Sequence, residues 1–229
     1  MTKSPDCKTY ENEKNQIICL NNQETHILPQ TNLEYYATQG LFESQLIDWC
    51  KQFCKKDKVF LDIGAHSGTY TISLSAYAKH VYAFEPQKMT YYSLCGGVAL
   101  SNKDNVTCYQ YGLGSPEQVG KQTLKIVSND GGGSSMHSID GVLREETIEV
   151  RTLDEFNITD IGFIKMDVEE NELYVLKGAI KTLQKCNYPT ILFESNFDNR
   201  ELFEYILSIG YSGVIRVGGC TNMFLTQSI

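Results

Sequence analysis

Four acidic residues stand where apolar runs of the sequence end. Asp62 lies near the end of "KVFLDIG", Glu85 of "HVYAFEP", Asp167 of "IGFIKMD" and Glu194 of "PTILFES". Carboxylates at such positions can accept hydrogen bonds from hydroxyl groups, balance a cation or take up a proton. A ligand that binds beside these acids must tolerate their negative charge.

The stretch "FLDIGAHSGTYTISLS" contains Asp62 and indicates which classes of ligand could bind beside it. It is typical of a strand, a turn through Gly64 and Gly68, and a helix, an arrangement that holds nucleotide-like ligands. A dinucleotide site needs G-x-G-x-x-G and a P-loop needs G-x-x-x-x-G-K-[ST], and the sequence has neither spacing here. Asp62 would also repel a phosphate group. A tight turn without a ligand is the plainer alternative.

S-adenosylmethionine suits this turn better than a nicotinamide coenzyme. It has no phosphate and carries an ammonium and a sulfonium group, so a carboxylate at the strand end attracts it. Glu85, 23 residues after Asp62, could accept hydrogen bonds from both ribose hydroxyls. Gly112 and Leu113 would border the adenine, although core packing explains Leu113 equally well. The sequence therefore predicts S-adenosylmethionine, with a nicotinamide-dependent oxidoreductase as the alternative.

Lys165 and Asp167 are unusual in a buried strand because they alternate onto the same face. A structural ion pair explains them without any function. In the functional interpretation, methyl transfer is an in-line displacement, and a hydroxyl acceptor must lose its proton. Asp167 could accept that proton or orient the hydroxyl, while Lys165 keeps Asp167 ionised.

Glu194 should lie near Asp167 if the two strands are neighbours. Together with Asn196 they would form an oxygen-rich pocket able to hold Mg²⁺ or Mn²⁺, which could lower the pKa of the acceptor hydroxyl. We therefore treat Asp167, Lys165 and Glu194 as candidate catalytic residues, without assigning a metal. Glu169 and Glu172 could be acids favoured at a helix start.

Apolar runs alternate with helical patterns along most of the chain. This alternation predicts an α/β fold with a parallel sheet covered on both faces and an antiparallel element at the C-terminus. A third strand is expected in "NVTCYQYGLG", one helix across Leu173 to Leu183, and a C-terminal hairpin with "GGCT" as its turn. We expect a single domain over residues 1–229, with residues 1–40 as an N-terminal extension or cap and 41–229 as the core.

Composition excludes several classes of function. The 229 residues carry a formal net charge of -8, which argues against a nucleic-acid partner. No apolar run approaches the roughly 20 residues that a membrane span needs. The eight cysteines without an apolar leader predict reduced thiols and a cytoplasmic protein. The oligomeric state cannot be read from the sequence.

Five motifs in order resemble those of the FkbM-type class I methyltransferases. They are "FLDIGAHSGTYTISLS", "FEP", "VRTLDEF", "IGFIKMDVEENELYVLKGA" and "PTILFE". The resemblance implies an S-adenosylmethionine-dependent O-methyltransferase with a Rossmann-like sheet of seven strands, and a sugar hydroxyl or the hydroxyl of a polyketide or another small molecule as acceptor. Asp167 would flank the reaction centre. The residues expected to hold the cofactor are Asp62, Gly64, Ala65, His66, Gly68, Thr69, Glu85, Gly112 and Leu113.

Two positions depart from the family pattern. Glu170 stands where glycine is usual, which bears on the backbone path after Asp167, and His66 stands where asparagine is frequent. A base-directed amino methyltransferase would be expected to have Asn/Asp-Pro-Pro-Tyr/Phe where this chain has "DVEE". A non-catalytic module that binds S-adenosylmethionine remains a further alternative.

The acceptor site is harder to locate from the sequence. "SNDGGGSSMHSIDG" is expected to form a mobile loop over the pocket. Tyr35, Tyr36 and Phe42 could wall the pocket with aromatic faces suited to a sugar ring, and ordinary packing explains them equally well.

Overall fold

The computed structural model describes residues 8–11, 15–20, 23–29, 33–196, 198–219 and 222–227. Its helices and strands follow in the order β1 (Lys8–Glu11), β2 (Asn15–Leu20), β3 (Glu24–Pro29), α1 (Leu33–Gln39), α2 (Ser44–Cys50), β4 (Val59–Ile63), α3 (Thr69–Ser75), β5 (His80–Phe84), α4 (Lys88–Leu100), β6 (Val106–Tyr109), β7 (Gly112–Leu113), β8 (Gly120–Ile126), β9 (Arg144–Arg151), β10 (Ile161–Met166), α5 (Glu172–Lys177), α6 (Ile180–Lys185), β11 (Thr190–Glu194), α7 (Arg200–Ser208), β12 (Val214–Arg216) and β13 (Met223–Thr226).

The central sheet contains seven described strands in the order β12-β13-β11-β10-β4-β5-β6. The five consecutive strands β11, β10, β4, β5 and β6 are parallel to one another. Strand β13 is antiparallel to both of its neighbours, β11 and β12. Every residue of β4 is buried, as expected of a strand covered on both faces. The predicted α/β fold with its antiparallel C-terminal hairpin is confirmed. Within the predicted turn, Cys220 and Thr221 lie outside the described residues.

The register of the parallel strands brings their carboxyl ends to one edge. In β10, Lys165 pairs with Asp62 of β4, and Met166 pairs with both Ile63 of β4 and Phe193 of β11. The residues that follow these strands therefore meet above the same edge. The positions after β4, β10 and β11 share that edge because crossover connections keep consecutive strands pointing the same way.

The prediction of a single third strand in "NVTCYQYGLG" is wrong for the C-terminal part of this segment. The strand of the central sheet stops at Tyr109, and Gly112–Leu113 forms β7, which pairs with β9 in a separate sheet of order β7-β9-β8. The chain turns away after Tyr109 because the residues of β7 find partners in β9 rather than in β5. We did not predict β8 and β9, although half-buried alternation in the seven-residue "GKQTLKI" is typical of a strand.

The single helix predicted across Leu173 to Leu183 is two helices in the structure, α5 and α6. They are separated at Gly178 and Ala179. A Cβ atom on Gly178 would collide with the backbone carbonyl of Gly114. Gly178 thus allows the close contact between this corner and the β7 segment, and the helix does not continue through it.

Strands β1, β2 and β3 form an antiparallel sheet that we did not predict within the N-terminal segment. This sheet lies against α4 at two helical glycines. A Cβ on Gly96 would come within 2.5 Å of the side chain of Ile27, and one on Gly97 within 3.1 Å of the carbonyl of Thr25. The two glycines weaken α4 as a helix but give β3 room to approach it. In the described ranges no helix has both the length and the apolar character that crossing a bilayer demands.

Candidate active site

A cavity of about 220 Å³ opens at the carboxyl ends of β4, β5 and β10. This is where parallel sheets of this kind bind their ligands. The predicted site residues that line it are Gly64, His66, Glu85, Gly112, Leu113 and Asp167. Backbone, apolar and carboxylate groups therefore all face the same space.

The turn after β4 comes very close to the end of β10. Gly64 has a φ of 75°, and a Cβ atom there would collide with the carbonyl oxygen of Asp167. Only glycine fits both the conformation and the space. Gly68, at a φ of 87°, is the residue before α3, and a Cβ there would meet the Leu94 side chain at 2.6 Å. Gly64 thus permits the close approach of the turn to the end of β10, and Gly68 permits the close approach of the turn to α4.

Glu85 faces the cavity and is held by two backbone amides. His66 N donates to Oε2 at 2.9 Å and Gln87 N donates to Oε1 at 2.8 Å. Burial raises the pKa of Glu85 to about 7, against the lowering effect of these hydrogen bonds. The remaining lone pairs of its oxygens can still accept hydrogen bonds from a ligand diol.

Asp62 does not line the cavity. It is completely buried beneath the turn, where Oδ2 accepts a hydrogen bond from Thr71 Oγ1 at 2.6 Å and Oδ1 has no hydrogen-bond partner. Burial raises its pKa, while the nearby ammonium of Lys165 acts in the opposite direction. Because side chains alternate along a strand, the neighbouring Ile63 faces the cavity and Asp62 faces the other side.

Ala65, Gly68 and Thr69 also lie outside the lining of the cavity. Ala65 is buried against Ala83 and Leu94, and Thr69 is the first residue of α3. These residues shape the turn and the start of the helix.

Lys165 and Asp167 form the ion pair that their spacing suggested. Their charged groups are 3.3 Å apart, and Lys165 Nζ also donates to the Gly64 carbonyl at 3.1 Å. The ammonium lies 5.1 Å from the ring centre of Tyr70. The side chain of Lys165 is 5% exposed and that of Asp167 30%, so the carboxylate faces the cavity and the ammonium stays behind it.

This pair determines the charge of both groups. Burial opposes ionisation of Asp167, but the Lys165 ammonium and hydrogen bonds from Glu194 and Lys165 outweigh it and hold the pKa of Asp167 below its ordinary value. Burial likewise opposes the charge on Lys165, and the carboxylates of Asp167 and Asp62 more than compensate and raise its pKa. The arrangement keeps Asp167 an ionised hydrogen-bond acceptor at neutral pH.

Glu194 is the protonated neighbour of Asp167. Burial first, then the charge of Asp167 and the hydrogen bond between the two, raise the pKa of Glu194 to about 8. Asn222 Nδ2 donates to Glu194 Oε1. At neutral pH one proton is therefore shared at this pair, on the Glu194 side.

A divalent cation fits this arrangement poorly. Carboxylate oxygens of Asp167, Glu169 and Glu194 lie within 4.8 Å of one another, close enough for three ligands. Lys165 already forms an ion pair with Asp167, so one of the three carboxylates is neutralised within the protein. Asn196, which the sequence placed in a metal pocket, donates instead to Glu170 Oε1 at 3.1 Å.

The glycine-rich loop lies against the cavity and is anchored on both sides. Its residues in the lining are Gly131, Gly132, Gly133, Ser134 and Met136. The ring Nε2 of His66 is 2.8 Å from the carbonyl of Asp130, and Gly133 N donates to Glu169 Oε1 at 3.0 Å. Tyr35 and Phe42, by contrast, stack on each other with ring centres 4.2 Å apart and do not line the cavity.

Sequence reasoning missed Asn171. It is buried, lines the cavity, and donates through Nδ2 to the carbonyl of Leu113 at 3.0 Å, while its Oδ1 lies 3.0 Å from His137 Nε2. It therefore joins the segment after β10 to β7 and to the glycine-rich loop. The only signal was an amide in the acidic run "DVEENE" directly after a strand.

Glu170 stands where the family usually has glycine, and the structure shows how the backbone accommodates it. Its φ is 74° and that of Glu169 is 52°, so both adopt the left-handed conformation that glycine adopts most readily. A side chain there costs about 1 kcal/mol or more in backbone strain. The backbone path after Asp167 is kept, and it directs the Glu170 side chain outward, where it is exposed.

Comparison with solved structures identifies the fold. The methyltransferase FkbM from Methylobacillus flagellatus KT superposes with a TM-score of 0.53 at 21% identity, over 75% of this chain and 44% of that one. An rRNA methylase from Streptococcus thermophilus superposes with a TM-score of 0.51 at 13% identity, over 80% and 92% of the two chains. The fold is that of the class I methyltransferases.

The family follows from the sequence. The model of the methyltransferase FkbM domain matches residues 62–212, so the chain belongs to this family. The chain is also 28% identical over 166 residues to the hexuronic acid methyltransferase AglP of Haloferax volcanii. That match covers 70% of this chain and 66% of AglP, just under two thirds of the relative.

Proposed function

We propose that the chain is an S-adenosylmethionine-dependent O-methyltransferase that methylates a hydroxyl of a sugar, a glycan or another small molecule. The observation that carries the proposal is Asp167, an ionised carboxylate that faces the cavity and is held by a buried lysine. Membership of the methyltransferase family supports the reaction class. The name of AglP, a hexuronic acid methyltransferase, supports a sugar as acceptor.

The cofactor would occupy the cavity of about 220 Å³. In this proposal Glu85 accepts hydrogen bonds from the ribose hydroxyls, and Gly112 and Leu113 border the adenine. The turn at Gly64 and His66 would hold the amino-acid end of the cofactor through its backbone. Asp62 acts indirectly, because it lies beneath the turn and contacts Thr71 of α3.

Methyl transfer then needs little from the protein beyond alignment and one proton acceptor. As the acceptor oxygen attacks the methyl carbon, the carbon–sulfur bond breaks and S-adenosylhomocysteine leaves. The hydroxyl proton passes to Asp167 and from there to solvent. Lys165 holds Asp167 in place and ionised, which favours orientation of the hydroxyl in the ground state. The hydrogen bond from Glu194 also helps to hold the Asp167 carboxylate in place.

Calorimetry combined with a transfer assay tests this proposal. S-adenosylmethionine and S-adenosylhomocysteine should bind to the purified protein, and NAD should not. Transfer of a labelled methyl group to hydroxylated sugars or metabolites should follow. Binding of NAD alone would contradict the donor assignment, and transfer only to an amino nitrogen would contradict O-methylation.

A further inference from the structure

A second cavity, of about 210 Å³, lies beside the proposed donor cavity. All of its lining residues carry hydrogen-bonding side chains: Glu169, Glu170, Glu172, Glu194, Ser195, Asn196, Asn199 and Asn222. Glu169 lines both cavities, and Glu194 is hydrogen-bonded to Asp167 of the first. Asp167 itself lines only the first cavity, so a molecule in the second cavity would have to extend past Glu169 to bring a hydroxyl to that carboxylate.

The charge of this cavity excludes one class of acceptor. Four of its lining residues are glutamates, and within the described part of the chain neither lysine nor arginine lines it. The nearest buried cation, Lys165, is engaged with Asp167 and with the carbonyl of Gly64. A carboxylate-bearing sugar would meet four glutamates and no cation among the described residues of this lining, so its charge would be repelled.

Hydrogen-bonding capacity points in the same direction. Each lining asparagine already gives an amide N–H to a protein oxygen: Asn196 to Glu170 at 3.1 Å, Asn199 to Ser195 at 3.2 Å, and Asn222 to Glu194. Each asparagine has one further amide N–H, and Glu194 directs its proton to Asp167. The carboxylate oxygens left for a ligand are therefore chiefly those of Glu169 and Glu170. The ligand must supply the donors. An ammonium has three and no acceptor, a hydroxyl has one, and a carboxylate has none.

We propose that this cavity holds the acceptor and selects a sugar with a free amino group, of which a neighbouring hydroxyl is methylated. The assignment rests on the proposed function and narrows its substrate class. It separates this chain from a hexuronic acid acceptor of the kind in the name of AglP. The ammonium binds among the glutamates of the second cavity, and the reacting hydroxyl points to Asp167.

A matched series of acceptors tests this. Labelled S-adenosylmethionine would be offered with hexosamines, hexoses and hexuronates in the same glycosidic form, at neutral pH and with EDTA. We expect transfer to the amine to exceed transfer to the uronate by about tenfold or more, with the neutral sugar between them. Equal or faster transfer to the uronate, with or without added Mg²⁺, would overturn the assignment.

Charge reversal sharpens the test, because Glu170 is exposed and lysine is an unbranched side chain that meets the same backbone strain at this position as glutamate. Glu170→Lys should lower kcat/KM for the amine and reduce its advantage over the uronate, with unchanged affinity for S-adenosylmethionine. Glu204→Lys makes the same change in net charge on an exposed part of α7 and should change neither quantity. Identical behaviour of the two variants would remove Glu170 from recognition.

The failure of this inference can be told from failure of the proposed function. A protein that binds S-adenosylmethionine and methylates uronates, or that binds it and methylates no amino or neutral sugar, contradicts only the substrate class. A protein that does not bind the cofactor at all contradicts the proposed function itself.

Discussion

The two cavities that meet at Glu169 are built from different groups. The first is lined by glycine backbone, many apolar side chains and three carboxylates, Glu85, Asp167 and Glu169, each held by a protein donor. The second is lined entirely by polar side chains, four of them glutamates. A large cofactor with two cationic centres needs shape and a few fixed contacts, while a small polar acceptor needs many hydrogen bonds. This difference is the basis of our proposal that the first cavity holds the cofactor and the second the acceptor.

The largest expected effect comes from filling the space at the first cavity. Gly64→Ala places a Cβ against the Asp167 carbonyl, so we expect S-adenosylmethionine binding to fall below detection and the melting temperature to drop. Gly40→Ala is the matched control, because Gly40 also has a positive φ, of 82°, but nothing lies within 4 Å of its Cβ position. Calorimetry and thermal melting would show whether the collision with the Asp167 carbonyl destabilises Gly64→Ala beyond the strain of a positive φ, which both variants share. Equal losses in both variants would contradict the close approach.

Asp167→Asn should separate chemistry from cofactor binding. The amide cannot take the proton of a hydroxyl, so we expect kcat to fall by about 10²–10⁴-fold while the affinity for S-adenosylmethionine changes little. Single-turnover rates and calorimetry measure the two quantities, with Glu204→Gln as an exposed control. A rate close to that of the unmodified protein would remove Asp167 from the mechanism.

Glu85 and Asp62 provide a comparison within the first cavity. Glu85 lines the cavity and Asp62 does not, so Glu85→Ala should weaken S-adenosylmethionine binding by about tenfold or more, and Asp62→Asn by less. Calorimetric titration of both variants, with melting curves to verify folding, would test the order. If Asp62→Asn has the larger effect on affinity in a stable protein, the carboxylate acts on the donor from beneath the turn more strongly than its position suggests.

The smallest expected effect concerns stability and pH. Burial raises the pKa of Glu172 from 4.5 to about 7, so the folded state keeps a proton that the unfolded chain loses. Stability therefore falls as pH rises between these values and is unaffected below them. Glu172→Gln cannot ionise and can still accept the hydrogen bond from Val168 N. Its melting temperature should match that of the unmodified protein near pH 4 and exceed it by about 10 °C at pH 8.

An exposed acid controls for the general effect of removing a charge. Glu204→Gln should give the same difference in melting temperature at both pH values. If Glu172→Gln and Glu204→Gln show equal pH dependence, the raised pKa of Glu172 is not a property of the folded state.

Most of the sheet could be predicted because each strand carries its own signal. The run at Val59–Ile63 and the run at Ile161–Met166 are apolar and end in acids, and alternation with helices is enough to order them in parallel. The N-terminal sheet and the small sheet with β7 were missed. Their strands are short or half-buried, and they are stabilised by partners distant in the sequence, such as Gly96 and Gly97 on α4.

The same division applies to the candidate site. The types of its residues were readable, since Glu85, Lys165 and Asp167 are costly to bury and stand at strand ends. The sequence did not show which of these residues faces the cavity, because the orientation of a side chain depends on the sheet face and on what packs over it. Asn171 was missed for that reason, because its role lies in contacts with Leu113 and His137.

By itself the sequence determined the α/β fold, the family and the acids at the carboxyl edge of the sheet. Hydrophobic periodicity and the placement of glycine and charge are local properties that a single chain displays. Only the tertiary structure decided that Asp62 lies beneath the turn, that Asp167 and Glu194 share a proton, and that a second, carboxylate-rich cavity adjoins the first. Burial, proton sharing and cavity shape arise from groups far apart in the chain, so no local pattern contains them.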